Sequence, residues 1–212
     1  MKTLPNLLRR FRKEEDGVAA IELLFCVPLL LWTLMSTFVY FDAYRAQSIS
    51  VRAALTVADM FSREETPISP DYMDGARSVL SLLAETDANP DFRVTVFTYR
   101  RLENDFRLVW SQNRGLGPNL TNADLENMRD SFPQMSNNDR AIMLETETEY
   151  SAPFRTPVMF YWREGQANGT RHADGEVQNI TFDNRVIIKP RYTNNYCFDP
   201  TPNLPTNGDD DC

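Results

Sequence analysis

Asp16–Phe41 reads DGVAAIELLFCVPLLLWTLMSTFVYF: one glycine, then an apolar run broken by a single acid, Glu22. From Leu23 to Phe41, 19 residues pass without a formal charge. As a helix they span roughly 28 Å at about 1.5 Å per residue, enough for a hydrocarbon core of about 30 Å. A carboxylate near a bilayer centre costs about 2.5–3.5 kcal/mol on insertion scales, and less towards the interface. An anchor alone has no use for Glu22, so the residue calls for a separate explanation.

The flanks of the run set an orientation. Lys2, Arg9, Arg10, Arg12 and Lys13 precede it. Positive charge stays on the cytoplasmic side, which places the N-terminus inside and the rest of the chain across the membrane. A cleaved secretory signal is the rival reading. Its apolar core is about 7–15 residues long and ends at small residues. Here the core is longer, and Ala43, Ala46 and Ser48 make a weak cleavage site.

The 212 residues carry a formal net charge of -8, and the part after the run carries about -9, from 17 basic and 26 acidic residues. An acidic external domain argues against nucleic acid or anionic lipid as partners. Of three cysteines, Cys26 lies in the apolar run and acts as a small hydrophobe. Cys197 and Cys212 fall in the external part, where disulfides persist. A bond between them would close a short loop containing three prolines and a glycine, and stabilise by about 3 kcal/mol.

Helical spacing continues past the run. Tyr44, Val51, Leu55, Ala58 and Phe61 form one predicted stripe, laying the outer half of the helix on the external domain. Glu64, Glu65, Pro67 and Pro70 end it, and a bend is expected near Pro28. A second helix is predicted from about Asp71 to Glu85, with Met73, Ala76, Val79, Leu80, Leu83 and Ala84 on its apolar side. The period then changes to that of strands: Phe92, Val94, Val96 and Tyr99, then Phe106, Leu108 and Trp110, with Asn104-Asp105 as the hairpin turn. A short helix follows from Thr121-Asn122 to Arg129, with Glu126 as its first-turn acid. Ala141, Met143 and Glu145–Tyr150 form a strand with one very polar face. Residues 153–162 fit strand or helix, Gln166–Gly175 is a polar loop, and closing strands run through Val177, Ile180, Phe182 and Val186–Ile188 to Pro190. The fold class is α+β: a long N-terminal helix, one or two further helices, and an antiparallel sheet of about four or five strands. The boundaries are a basic leader at 1–17, a membrane helix at 18–44, an external domain at 45–192, and a C-terminal loop at 193–212.

No catalytic or cofactor constellation stands out. His172 is the single histidine, in a polar loop, and GxSxG, CxxC, HExxH and Gly-rich phosphate motifs are absent. Asp209–Asp211 lack the spacing of a calcium loop. Asn119, Asn168 and Asn179 open tripeptides of the glycosylation pattern, which are common by chance. The expectation is a non-enzyme with no cofactor and no metal.

Counting from the residue after Gly17, Val18 is first and Glu22 fifth. A basic leader, a glycine and a hydrophobic helix with glutamate at the fifth place resemble the type IV prepilin family. The stretch Arg10–Lys13, the acids before Gly17, Ile21-Glu22 and the segment Val27–Leu31 are most similar to TadE-like minor pseudopilins of the tight-adherence (Flp) pilus system. The likeness covers about residues 9–45; Val186–Arg191 is also similar to such external domains. Major pilins of that system are very short and often carry tyrosine after the glutamate, where this chain has Leu23 and a large domain. The resemblance implies cleavage between Gly17 and Val18 by a prepilin peptidase. It further implies a new ammonium at Val18 that Glu22 of a neighbouring subunit pairs with, and a role in pilus assembly at the inner membrane with other pilins as partners. The alternative is an uncleaved single-pass protein whose external domain scaffolds a complex or binds a ligand.

Overall fold

The structure, a computed structural model, describes residues 18–86, 89–157, 176–192 and 196–200. It is α+β, with four antiparallel strands between two unequal helical layers.

Helix α1 (Val18–Ser62) is 45 residues long and continues through Pro28. Its outer half is built into the domain. The buried face is Ser50, Ala53, Ala54, Val57, Ala58 and Phe61, whose steps of three and four residues trace one side of a helix. This corrects the predicted stripe. Ala58 and Phe61 are buried, but Tyr44, Val51 and Leu55 are exposed. Their larger side chains lie around the helix from a strip of alanines, and the alanines let the backbone come close to the sheet.

Helix α2 (Pro70–Leu83) begins at the proline expected to terminate the preceding helix. Proline is suited to a first helical position, where its missing N–H is not needed. Ser69 caps the helix: its hydroxyl accepts from the Tyr72 amide at 3.2 Å. Met73, Ala76 and Leu80 are buried, as predicted, whereas Val79 and Leu83 are at the exposed margin.

Strands β1 (Asp91–Arg100) and β2 (Asp105–Arg114) form the predicted hairpin. The turn is Arg101–Asn104 rather than Asn104-Asp105; Asp105 already pairs with Arg100, and Asn104 adopts φ 49°. Helix α3 (Asn122–Asn127) starts after Thr121, whose amide and hydroxyl both donate to Asp124 Oδ2, at 2.8 and 2.7 Å. Asp124, not Glu126, is therefore the acid of the first turn. Glu126 instead accepts from Arg129 Nη1 at 3.1 Å. A 3₁₀ turn follows at Arg129–Ser131.

Strand β3 (Arg140–Pro157) settles residues 153–157 as strand. Residues 158–162, the predicted loop Gln166–Gly175 and His172 lie outside the described residues. β4 (Glu176–Ile188) is one strand where separate closing strands were expected. The strand order is β2-β1-β3-β4.

Each face of the sheet carries its own core. On one face, Phe92, Val94, Val96, Ile142 and Leu144 meet Val57, Phe61, Met73 and Leu80 from α1 and α2. Tyr196 belongs to this core despite its place near the C-terminus. It is 1% exposed, donates its hydroxyl to the Phe61 carbonyl at 2.5 Å, and its ring stacks on Trp110. Phe198 follows it against Trp110 and bridges Ile68 as a short parallel pair. On the other face, Phe97, Phe106, Ala141 and Met143 pack under Leu125 of α3 and Phe132. Phe132 stacks on Phe97 with ring centres 4.7 Å apart.

Beyond that second core the same face becomes charged. Arg93, Glu145 and Arg185 stand in register across β1, β3 and β4. Glu145 is 7% exposed and accepts from Arg93 Nη2 at 2.6 Å and Arg185 Nη2 at 2.8 Å. The next row is Asp91, Glu147 and Asp183, three acids side by side. Arg77 relieves Asp91 at 2.9 Å. Glu147 takes the penalty: partial burial, then the charges of Asp183 and Asp91, raise its carboxyl above the ordinary value. A raised carboxyl favours the protonated folded state. The penalty is therefore absent below the unfolded value of about 4.3. It grows as pH rises towards the raised folded value and persists above it. Glu147→Gln is expected to stabilise the domain by about 0.5 kcal/mol at pH 7 and to give no gain below about pH 4. Urea midpoints at the two pH values check this; an equal gain at both would remove the charge explanation.

Candidate functional site

The residues singled out by the sequence sit at the two ends of the chain. Gly17 lies outside the described residues. Val18 is the first residue of α1, and Glu22 is the fifth. Glu22 is exposed on a helix whose neighbouring side chains are also exposed, with Ile21 at 54% and Phe25 at 71%. It has no ion-pair partner among the described residues. An exposed carboxylate set among exposed leucines is stable in water, but in an apolar medium it needs a counter-charge from another molecule or from its own interface.

The inner half of α1 is long and apolar enough to cross a membrane. Its polar side chains suit that. Thr33 donates to the Leu29 carbonyl at 2.8 Å and Thr37 to the Thr33 carbonyl at 2.7 Å, so each hydroxyl is satisfied within the helix. Ser36 Oγ is shielded and has no partner among the described residues. One turn on, Val39 is 1% exposed, so chain covers the helix even inside the apolar run.

Cys26 is free and exposed on the same helix. Cys197 is not free, and Cys212 lies outside the described residues, as does the rest of the acidic tail. What the sequence did not disclose is that the chain around Cys197 is part of the core. The Ile68 amide donates to the Cys197 carbonyl at 2.8 Å, and the Asp199 amide donates to the Ile68 carbonyl at 2.8 Å. The alternation of Tyr196 and Phe198 about Cys197 was the available signal.

Where one polar face was expected on β3, the strand carries polar groups on both: the Glu145 and Glu147 row on one side, and Thr148 and Tyr150 turned to α1 on the other. Ser50 and Thr148 share a hydroxyl hydrogen bond of 2.7 Å, and Asn184 Nδ2 donates to Ser50 Oγ at 2.7 Å. Further along, Tyr150 Oη donates to Asp42 Oδ2 at 2.7 Å. Burial, then this contact with Asp42, raises the phenol far above its ordinary value, so it stays protonated as the donor. Among the described residues, no group of three or more histidine, cysteine or acidic side chains could hold a metal ion.

The arrangement is that of an α+β domain mounted on a membrane-length helix, with one acid near the helix start that has no ion-pair partner among the described residues. Family models, curated proteins and solved structures were compared with the chain, and none matches.

Proposed function

We propose that the chain is a minor pseudopilin of the tight-adherence (Flp) type, a non-enzymatic component in assembly of an adhesive pilus. It inserts in the inner membrane with its N-terminus in the cytoplasm and its domain in the periplasm. A prepilin peptidase cuts between Gly17 and Val18. The single observation that carries the reading is the placement of Glu22: fifth residue of an unbroken helix, exposed and without an ion-pair partner among the described residues, at a fixed count from Gly17. Glycine suits the cut because a peptidase must approach the backbone closely, and glycine has no side chain to obstruct it. The cut frees an ammonium at Val18. In an assembly of subunits, that ammonium offsets the cost of holding Glu22 in an apolar layer. A bond between Cys197 and Cys212 would then tie the tail to a segment already anchored on Ile68.

The mature N-terminus tests this. Mass spectrometry is expected to find Val18 first in cells with the peptidase and Met1 first in cells without it. A Met1 start in both would sink the reading and leave the uncleaved scaffold. Glu22→Ala is expected to leave processing intact and impair pilus formation. Unchanged pili with normal processing would remove the pairing role while keeping the cut.

A further inference from the structure

Ser50 touches Thr148, and Asp42, eight residues back along α1, touches Tyr150, two residues forward along β3. β3 therefore runs back beside α1 towards the apolar half. Between the two lies a cleft of about 550 Å³, closed on a third side by the end of α2. Its charged lining is Asp42, Arg45, Glu85 and Glu149, with hydroxyls from Thr86 and Tyr150 among its polar groups. Arg45, Glu85 and Glu149 have no ion-pair partner among the described residues. Glu85 is held at φ 53°, a left-handed backbone uncommon for a residue with a side chain.

Asp42 is the first charged residue after the apolar run. With that run in a bilayer, the cleft lies in the polar layer, about 5–8 Å thick on each side of the hydrocarbon. Three carboxylates against one guanidinium repel an anionic headgroup and attract a cation. One guanidinium beside them fits a phosphate attached to that cation. The carboxylates and hydroxyls are acceptors for N–H groups. The two aromatic rings present, Tyr150 and Phe182, pack on each other with ring centres 6.0 Å apart rather than forming a cage for a quaternary amine.

We propose that this cleft binds the headgroup of a zwitterionic phospholipid with a primary ammonium, a phosphoethanolamine, its phosphate on Arg45 and its ammonium among Asp42, Glu85 and Glu149. The proposal rests on the membrane insertion proposed above. A lipid held there would fix the depth and tilt at which the domain meets the bilayer.

The full chain is reconstituted in bilayers of equal parts phosphatidylethanolamine, phosphatidylcholine and phosphatidylglycerol, and the lipids retained on transfer to detergent are identified by native mass spectrometry. Phosphatidylethanolamine is expected to exceed phosphatidylglycerol by about fivefold or more, the factor of one charge contact at a membrane surface. The double substitution Glu85→Gln with Glu149→Gln is expected to abolish that preference by raising phosphatidylglycerol retention. Arg45→Ala is expected to lower retention of phosphatidylethanolamine. Equal retention of the three lipids, or a preference unmoved by the substitutions, overturns the proposal. So does equal retention of the ethanolamine and choline lipids, or displacement of all lipid by a lysine-rich peptide, which marks a protein-binding cleft. Alkaline carbonate extraction separates the two readings. A chain released as soluble overturns membrane insertion and this site together; an embedded chain without lipid preference overturns the site alone.

Discussion

Tyr196→Ala is expected to lower the unfolding free energy of the domain by about 3–5 kcal/mol, the range for losing a fully buried aromatic side chain. Three contributions meet at that residue. The ring fills the core between α1 and the sheet, it stacks on Trp110, and its hydroxyl satisfies the Phe61 carbonyl next to the end of α1. Tyr196→Phe keeps the first two and leaves a buried carbonyl one hydrogen bond short, for about 1–2 kcal/mol. Denaturation of the detergent-solubilised chain, followed by tryptophan fluorescence, measures both. A cost under about 1 kcal/mol for the alanine variant would mean that the tail is a passive covering and that the core is complete without it.

The second large effect is expected at Glu145. Its carboxylate lies between two guanidinium groups that differ in exposure: the Arg93 side chain is 13% exposed and that of Arg185 is 43%. Glu145→Ala strands Arg93, which is also held by the Pro118 carbonyl at 2.7 Å and cannot simply swing into water. The expected cost is about 3 kcal/mol, at the lower end for breaking a buried pair. Arg185→Ala removes the exposed partner and is expected to cost less than about 1 kcal/mol. Replacing both buried partners, Arg93→Met with Glu145→Leu, is expected to recover most of the loss, because no buried charge is then left alone and Arg185, 43% exposed, turns to water. If the double variant is as unstable as Glu145→Ala, the row contributes through packing geometry rather than through charge compensation.

Much of the architecture is legible in the sequence because period is a strong signal. The apolar run gives α1, and the change from helical to alternating spacing at Phe92 gives the β1–β2 hairpin. Three things escape that signal. Half of the stripe by which α1 joins the domain is alanine, Ala53, Ala54 and Ala58, and a search for large apolar residues finds Phe61 but also selects Val51 and Leu55 beside it. The buried polar residues of β3, Glu145 on one face and Thr146 and Thr148 on the other, look solvated until their partners on β1, β4 and α1 are known. Tyr196 sits in a run of asparagines and prolines whose composition is that of a loop, and only the space between Phe61 and Trp110 assigns it to the core. At the candidate site, the spacing of Gly17 and Glu22 is fully present in the sequence. The cleft beside Asp42 is not, since it exists only where β3 folds back along α1.

The uninterrupted course of α1 has a mechanical consequence. The residues that face lipid in the proposed insertion and the residues that carry the domain's core belong to one rod, with no hinge sequence between Tyr44 and Ser50. Rotation of the inner half about its axis therefore turns the domain by the same angle, and an axial pull arrives at the sheet undiminished. A single alanine inserted in that interval would swing the domain through about 100° of azimuth relative to the inner half, breaking the Asp42–Tyr150 contact and turning β3 to a different direction over the membrane.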